Sequence, residues 1–431
     1  MSLSRRIAIL ALVSMAPNMA GRSVQARTAR PHSVVFSMKY KGTWGIRHQP
    51  VQFGAARWLH RSKNAPTGLQ CTRDGRFLIY AEEGGIYARS LAGSAAPRKV
   101  ASLPGAIWDL HRRQIRAFVA PSPSGRYLAL PDPEGVRVHD LETGKDLIVK
   151  PPTTGDEESQ KVRVIHPPRW MPDRDAFLYL TQQGDKGRGA VNARVFDLAQ
   201  GRHSLWFPVL TKPVLAVEAF DAIFNAEGTR IGLTLAVRQE RATAVRFRIF
   251  SVNPYKALSM PGRVTIGRLH GFDPRLGDIL FTGHLAGQPA KLWSYSFTRK
   301  SRQLLDTGFL SSGRMVLGFY PERRTALVAQ PYDSGPCSGK AKLYKASSSF
   351  TMTALVRWAA WTEVVAEDPT GAWLVFRSGS TCNHKSPTLY LMMADGWGLL
   401  KDMDARFAPL RTVDPQDAAL CPLPPPPSRP R

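Results

Sequence analysis

Apolar and polar positions recur in one order along most of the chain: a polar turn, a short run of strand-forming residues, a loop, then a second run that alternates. The first part of the unit reads CTRDGRFLIYA (71–81), PSPSGRYLALP (121–131), WMPDRDAFLYL (170–180) and FNAEGTRIGLTL (224–235). It continues with FDPRLGDILFTG (272–283), YPERRTALVAQ (320–330) and EDPTGAWLVFRS (367–378). Anchored on Gly75, Gly125, Arg174, Gly228, Leu276, Arg323 and Gly371, the spacings are 50, 49, 54, 48, 47 and 48 residues. Glycine in four of the seven turns fits a tight hairpin, which needs a positive φ. The run after each turn is a second strand. The segments IYARSL, VRVHDL, ARVFDL, RFRIFSV, LWSYSF, KLYKAS and LYLMMA are third strands, several of them alternating as a strand between two neighbours does.

About four strands fit a period near 48, too long for ankyrin or tetratricopeptide units and right for a propeller blade. The pattern therefore predicts an all-β chain, a seven-bladed β-propeller of four-stranded antiparallel blades. The 34 prolines and 35 glycines agree with short strands punctuated by turns. With 43% apolar residues the chain can bury a sizeable core.

The units resemble those of TolB-type and WD-type propellers, whose pattern is a Ser-Pro-Asp-Gly turn, an apolar strand, and a strand ending near Asp-Leu-x-x-Gly. PSPSGRYLAL (121–130) with VRVHDLETGK (136–145) is the nearest copy. The resemblance spans residues 66–411 and implies a fold, not an activity. Only about 40 residues separate the expected cleavage point from the first repeat, too few for TolB's separate N-terminal domain, so TolB's partner is not implied.

The N-terminus reads as a basic head, a ten-residue apolar run and a small-residue cleavage region, MSLSRR-IAILALVSMA-PNMAGRSVQA. Residues 1–26 are thus expected to be a signal peptide, 27–65 an N-terminal segment containing a possible closing strand (33–40), 66–411 the propeller and 412–431 a proline-rich tail. The expected location is periplasmic or extracellular, with no membrane span in the mature chain and a monomeric state. A net charge of +26 attracts polyanions. Removing residues 1–26 takes away only three of those charges, Arg5, Arg6 and Arg22. No run of five or six like charges occurs.

Turns between first and second strands share one face of such a ring, and loops between second and third strands share the other. That loop face is expected to carry Lys186, Arg188, Arg238, Arg241, His284, Lys340, His384 and Lys385, a candidate basic binding rim. Cys337 and Cys382 occupy equivalent loops of successive repeats and are expected to pair, because an even cysteine count in an exported chain reads as disulfides. Cys71 and Cys421 pair by elimination if ring closure brings the chain ends together, an unpaired buried Cys71 being the alternative.

Catalytic signatures are missing: the sequence has no G-x-S-x-G elbow, no H-E-x-x-H helix and no paired C-x-x-C. Gly335, Gly339 and Lys340 fall short of a phosphate loop, with three residues between the glycines instead of four and Ala341 in place of Ser or Thr. The ten histidines are scattered, and no metal or cofactor is expected. These features point to a non-enzymatic scaffold for a protein or an anionic envelope polymer. A propeller enzyme, lyase or hydrolase, with a site assembled from several blades is the alternative, and a nucleic-acid partner is disfavoured.

Overall fold

The computed structural model describes residues 32–422, apart from 51–56, 94, 103–118, 153–161, 184–188, 239–242, 253–254, 259–263, 274–276, 289, 306–313, 321–324, 333, 339, 347–351, 355–358, 368–372, 383–387 and 394–416. Every regular element among them is a strand.

The strands form eight antiparallel sheets, one more than the seven predicted. Sheets 2 to 8 correspond to the seven repeats. Sheet 1 is assembled from both ends of the chain: Asp417–Pro422 pairs with His32–Tyr40, which pairs with Thr43–Pro50, which pairs with Arg57–Ser62. The repeat count missed it for a physical reason. Its first and second strands are the last and first of the chain, so no turn joins them and the anchor motif has nowhere to occur. The closing segment 33–40 is the second strand of this sheet. Segments 27–65 and 412–431, which the repeat leaves outside the ring, each contribute strands to it.

The first strands of the repeats are Thr67–Cys71, Ala120–Pro121, Val162–Trp170, Ala216–Phe224, Thr265–Phe272, Met315–Tyr320 and Trp361–Glu367. Those of sheets 3 to 7 contact one another in succession, and Asp417–Pro422 lies between the last and the first of the seven. These are therefore the inner strands, bordering the axis of a propeller-like fold. Polar side chains tie the sheets together there. Gln70 Nε2 donates to the Val119 carbonyl at 2.6 Å and Trp170 Nε1 to the Ala120 carbonyl at 2.8 Å. Gln182 donates to the Val214 carbonyl and accepts from the Val217 amide.

Why the second strands are so apolar is clearest in sheet 4. Side chains alternate across a strand, and both faces of Ala176–Gln183 are covered. Phe177 and Tyr179 pack with Ala129, Val136 and Val138 of sheet 3, while Ala176, Leu178 and Leu180 pack with Val217, Leu233 and Leu235 of sheet 5.

The turns repeat one hydrogen-bond scheme. The amides of Thr72, Ser122 and Asn225 donate to the carbonyls of Phe77, Tyr127 and Arg230, and those of Gly75, Gly125 and Gly228 donate back to Thr72, Ser122 and Asn225. The side-chain oxygens of Thr72, Ser122 and Asn225 then accept from the amides of Phe77, Tyr127 and Arg230, which explains the small polar residue opening each of these turns. All three glycines have positive φ, as the hairpin reading requires.

Two disulfides are present, both as expected: Cys337–Cys382, with Cα atoms 4.9 Å apart, and Cys71–Cys421, with Cα atoms 5.1 Å apart. The first fastens sheet 7 to sheet 8 and the second fastens the inner strands of sheets 1 and 2.

Candidate functional site

Two regions of the ring present chemistry: the wall formed by the inner strands and the rim formed by the loops between second and third strands.

Six inner strands slip register against their second strands, at Thr67/Gln70, Ile165/Arg169, Val217/Ala219, Ile266/Arg268, Val316/Gly318 and Val364/Ala366. Such bulges re-aim side chains and concentrate beside functional sites. In sheets 4 and 5 the result is a bridge between neighbouring inner strands, Arg169 Nε to Asp221 Oδ1 at 2.9 Å, with Asp221 largely exposed. In sheet 6 the inner strand carries exposed Arg268 beside partly buried His270. Burial, with a smaller push from Arg268, lowers the His270 pKa to about 4, so the ring is neutral at pH 7. Among the described residues no cluster of three or more His, Cys, Asp or Glu is arranged to hold a metal.

On the rim, Lys186, Arg188, Arg241, His384 and Lys385 lie outside the described residues. Arg238 and His284 end the second strands of sheets 5 and 6, exposed and at the same end of the ring, as the repeat geometry requires. Lys340 is engaged in packing. Its ammonium sits 4.3 Å from the centroid of the Trp361 ring and donates to the Cys382 carbonyl at 2.5 Å, bridging sheets 7 and 8 beside their disulfide.

Sequence reasoning missed the rim cations of sheet 1, because the N-terminal segment was not counted in the ring. Lys39 and Lys41 flank the tip of the first hairpin, and Arg61 and Lys63 stand at and just beyond the end of the outer strand; all four are exposed. The rim is not uniformly basic: Glu82, Glu83, Asp132 and Glu134 lie at the corresponding tips of sheets 2 and 3. Several of these acids are engaged locally. Glu82 accepts from Ser62 and contacts His60 Nε2, Asn64 donates to Glu83, Arg137 bridges to Asp132 and Lys150 to Glu134.

The opposite, turn-bearing face differs. Arg76 is held by Asp74 and Glu142, Arg126 by Asp140 and Glu142, Arg174 by Asp173 and Asp197, and Arg299 by Asp278. Arg230 donates to the Gly277 carbonyl and Arg98 to the Leu141 carbonyl. Despite its burial, Asp140 is held at a pKa of about 2 by hydrogen bonds from Arg126 and from the Thr143 and Glu142 amides. The arginines just named are bound internally, whereas Lys39, Lys41, Arg61, Lys63 and Arg238 on the rim, like Lys145 and Lys300 in turns of the opposite face, have no carboxylate partner among the described residues.

No protein-family model matches the chain, and no curated protein matches it. Solved structures resemble it at low identity. Dihydro-heme d1 dehydrogenase NirN in complex with DHE is 12% identical, with 92% of this chain and 76% of NirN covered and a TM-score of 0.51. A eukaryotic initiation factor is 12% identical over 91% of this chain and 97% of its own, with a TM-score of 0.45. TolB from Acinetobacter baumannii is 9% identical over 76% of this chain and 64% of its own, with a TM-score of 0.35. The chain is propeller-like: eight sheets around an axis and the NirN likeness agree on the fold, and on the fold alone. No helix among the described residues is long and apolar enough to cross a membrane.

Proposed function

We propose that this chain is an exported, non-enzymatic propeller scaffold that binds a protein or an anionic envelope polymer through its loop rim. The observation that carries the reading is the contrast between the paired arginines of the turn face and the unpaired arginines of the rim. Arg76, Arg126, Arg174 and Arg299 of the turn face are neutralised by acids, and Arg98 and Arg230 are capped by carbonyls, while the rim arginines Arg61 and Arg238 and the rim lysines of sheet 1 stand exposed without a carboxylate. An exposed cation with no internal carboxylate keeps its charge available for an external anion. Export is supported by the two disulfides, which persist in oxidising compartments, and by the N-terminal segment.

The reading is tested by titrating the purified chain with a soluble sulfated polysaccharide and with a carboxylated one. Saturable binding is expected to weaken when Arg238 and Arg61 are replaced by glutamine and to survive Arg126→Gln on the turn face. Binding that responds equally to both changes would point to net charge alone and remove the rim from the account.

A second reading, a propeller enzyme, is favoured by the inner wall, where bulges bring the Arg169–Asp221 bridge and neutral His270 onto strands bordering the axis. A ligand whose binding is lost on Asp221→Asn and His270→Gln, with rim variants unaffected, would favour that reading over the scaffold.

A further inference from the structure

The rim corner of sheet 1 combines charge with aromatic rings in a way no other described part of the chain does. The hairpin joining His32–Tyr40 to Thr43–Pro50 turns through Lys41 and Gly42, with φ of +48° and +84°. Its tip reads Lys39-Tyr40-Lys41-Gly42-Thr43-Trp44, exposed from Lys39 to Thr43 and half-buried at Trp44. Tyr40 is 46% exposed, and the rings of Trp44 and Trp58 beside it are half-buried.

The rings and the cations are interleaved. Lys39 Nζ lies 5.9 Å from the Trp44 ring centroid and Lys41 Nζ 5.6 Å from that of Tyr40. The guanidinium groups of Arg47 and Arg61 lie 5.3 and 5.4 Å from the centroid of Trp58, itself 6.3 Å from Tyr40. Gly45 makes room for this: a Cβ there would sit 2.7 Å from the Trp58 ring and closer still to the His60 carbonyl oxygen. Against these cations and the adjacent Lys63, the acids of the corner are Glu82 and Glu83, held by Ser62, His60 and Asn64. The corner is net positive.

From this corner we infer that the hairpin tip docks the propeller onto a membrane surface bearing anionic headgroups. Tyrosine and tryptophan are amphipathic rings that settle at the headgroup level. Lysine keeps an apolar stem against the rings and extends its ammonium to the phosphates. A convex two-residue turn suits a planar surface, whereas a polysaccharide strand is held better by a groove. The two lysines alone supply about fivefold each in affinity for an anionic leaflet. The inference goes beyond the scaffold reading, since it assigns the hairpin tip, Lys39 to Trp44, to lipid and leaves Arg61, the rest of the rim and the inner wall for another partner.

The test is co-sedimentation of the full chain with vesicles of phosphatidylcholine mixed with phosphatidylglycerol and with vesicles of phosphatidylcholine alone, read as the ratio of the two affinities. The N-terminal segment, with Arg5, Arg6 and Arg22, is common to every variant and cancels in the comparison between variants. Lys39→Gln with Lys41→Gln is expected to lower the ratio ~30-fold, and Tyr40→Ala to weaken binding to both vesicles several-fold. The charge-matched pair Lys256→Gln with Lys300→Gln, on exposed edges of sheets 5 and 6, is expected to leave the ratio near its starting value. A starting ratio near one overturns the inference, and so does an equal loss from the distant pair. Binding to a soluble sulfated polysaccharide with no preference for anionic vesicles also overturns it, while leaving the scaffold reading standing.

Discussion

Cys71 and Cys421 are 350 residues apart in sequence and 5.1 Å apart between Cα atoms. Their bond joins the inner strand of sheet 2 to Asp417–Pro422, the one strand of sheet 1 that comes from the C-terminal end. Six antiparallel pairs from His32↔Pro422 to Ser37↔Asp417 hold that strand from the other side, to His32–Tyr40. Replacing both cysteines by serine is expected to lower stability by roughly 2–4 kcal/mol, the usual range for a native disulfide. It should also raise amide hydrogen exchange across Ala418–Cys421 more than in any other inner strand. Unchanged exchange in that segment would mean that hydrogen bonds alone close the ring.

Successive turns on the turn face lean on one another, and glycine substitution exposes this. Gly125 has a φ of +79°, and a Cβ there would meet Asp74 Oδ1 of the preceding sheet at 2.6 Å. Asp74 is not free to move, since Thr72 and Arg76 both bind it. Gly42 has a similar φ, +84°, and a Cβ there would meet nothing within 4 Å. Gly42→Ala should therefore show only the backbone cost, about 1 kcal/mol, and Gly125→Ala about 2–3 kcal/mol. Denaturant midpoints of the two variants check this, and equal losses would contradict contact between the turns.

Acid should destabilise the fold before its carboxylates matter. Burial, seconded by Arg57, lowers the His48 pKa to about 4, and burial with Arg268 does the same for His270. Both values lie below the unfolded value near 6.5, so between pH 6.5 and 4 the unfolded chain binds protons that the folded chain refuses. Stability then falls as pH falls, by at most about 1.4 kcal/mol per pH unit for each histidine. Asp140, at about 2 when folded, loses its contribution only at lower pH. Urea unfolding at pH 7 and pH 4.5 should show the drop, and His48→Gln with His270→Gln should flatten it. A flat wild-type profile across that window would contradict the burial of these rings.

Lys340 and Arg238 arrive from the same sequence pattern and should behave oppositely. Lys340→Met removes the contact with Trp361 and the bond to the Cys382 carbonyl, a loss of about 1–2 kcal/mol in stability with little effect on polymer binding. Arg238→Gln should leave the unfolding midpoint within about 0.5 kcal/mol of wild type and weaken polymer binding. Thermal unfolding and a binding titration on each variant separate the two roles.

The repeat was legible because the turns of sheets 2, 3 and 5 share a small polar opener, Thr72, Ser122 or Asn225, and a glycine at positive φ, Gly75, Gly125 or Gly228. The Cys337–Cys382 pair was legible because equivalent positions of successive repeats are neighbours in space, whereas Cys71–Cys421 followed only by elimination. Sheet 1 was hidden, since its strands come from the two chain ends and lack the turn that marks the others. The rim cations Lys39, Lys41, Arg61 and Lys63 were hidden with it. The Arg169–Asp221 bridge was illegible for a different reason: a β-bulge is a two-against-one backbone count that leaves no local residue signature. Lys340 was legible as a rim residue but not as a packed one, because Trp361, which holds it, belongs to the next sheet.

The salt dependence of polyanion binding tests the central claim, that unpaired rim cations are what this propeller offers to a partner. Affinity for a sulfated polysaccharide is expected to fall linearly with the logarithm of salt concentration. By analogy with phosphate polymers the slope should lose a little under one for each rim cation engaged and removed, so Arg238→Gln and Arg61→Gln should each shallow it while Arg126→Gln leaves it unchanged. Binding that ignores salt, or a slope that Arg126→Gln shallows as much as Arg238→Gln, would contradict the account.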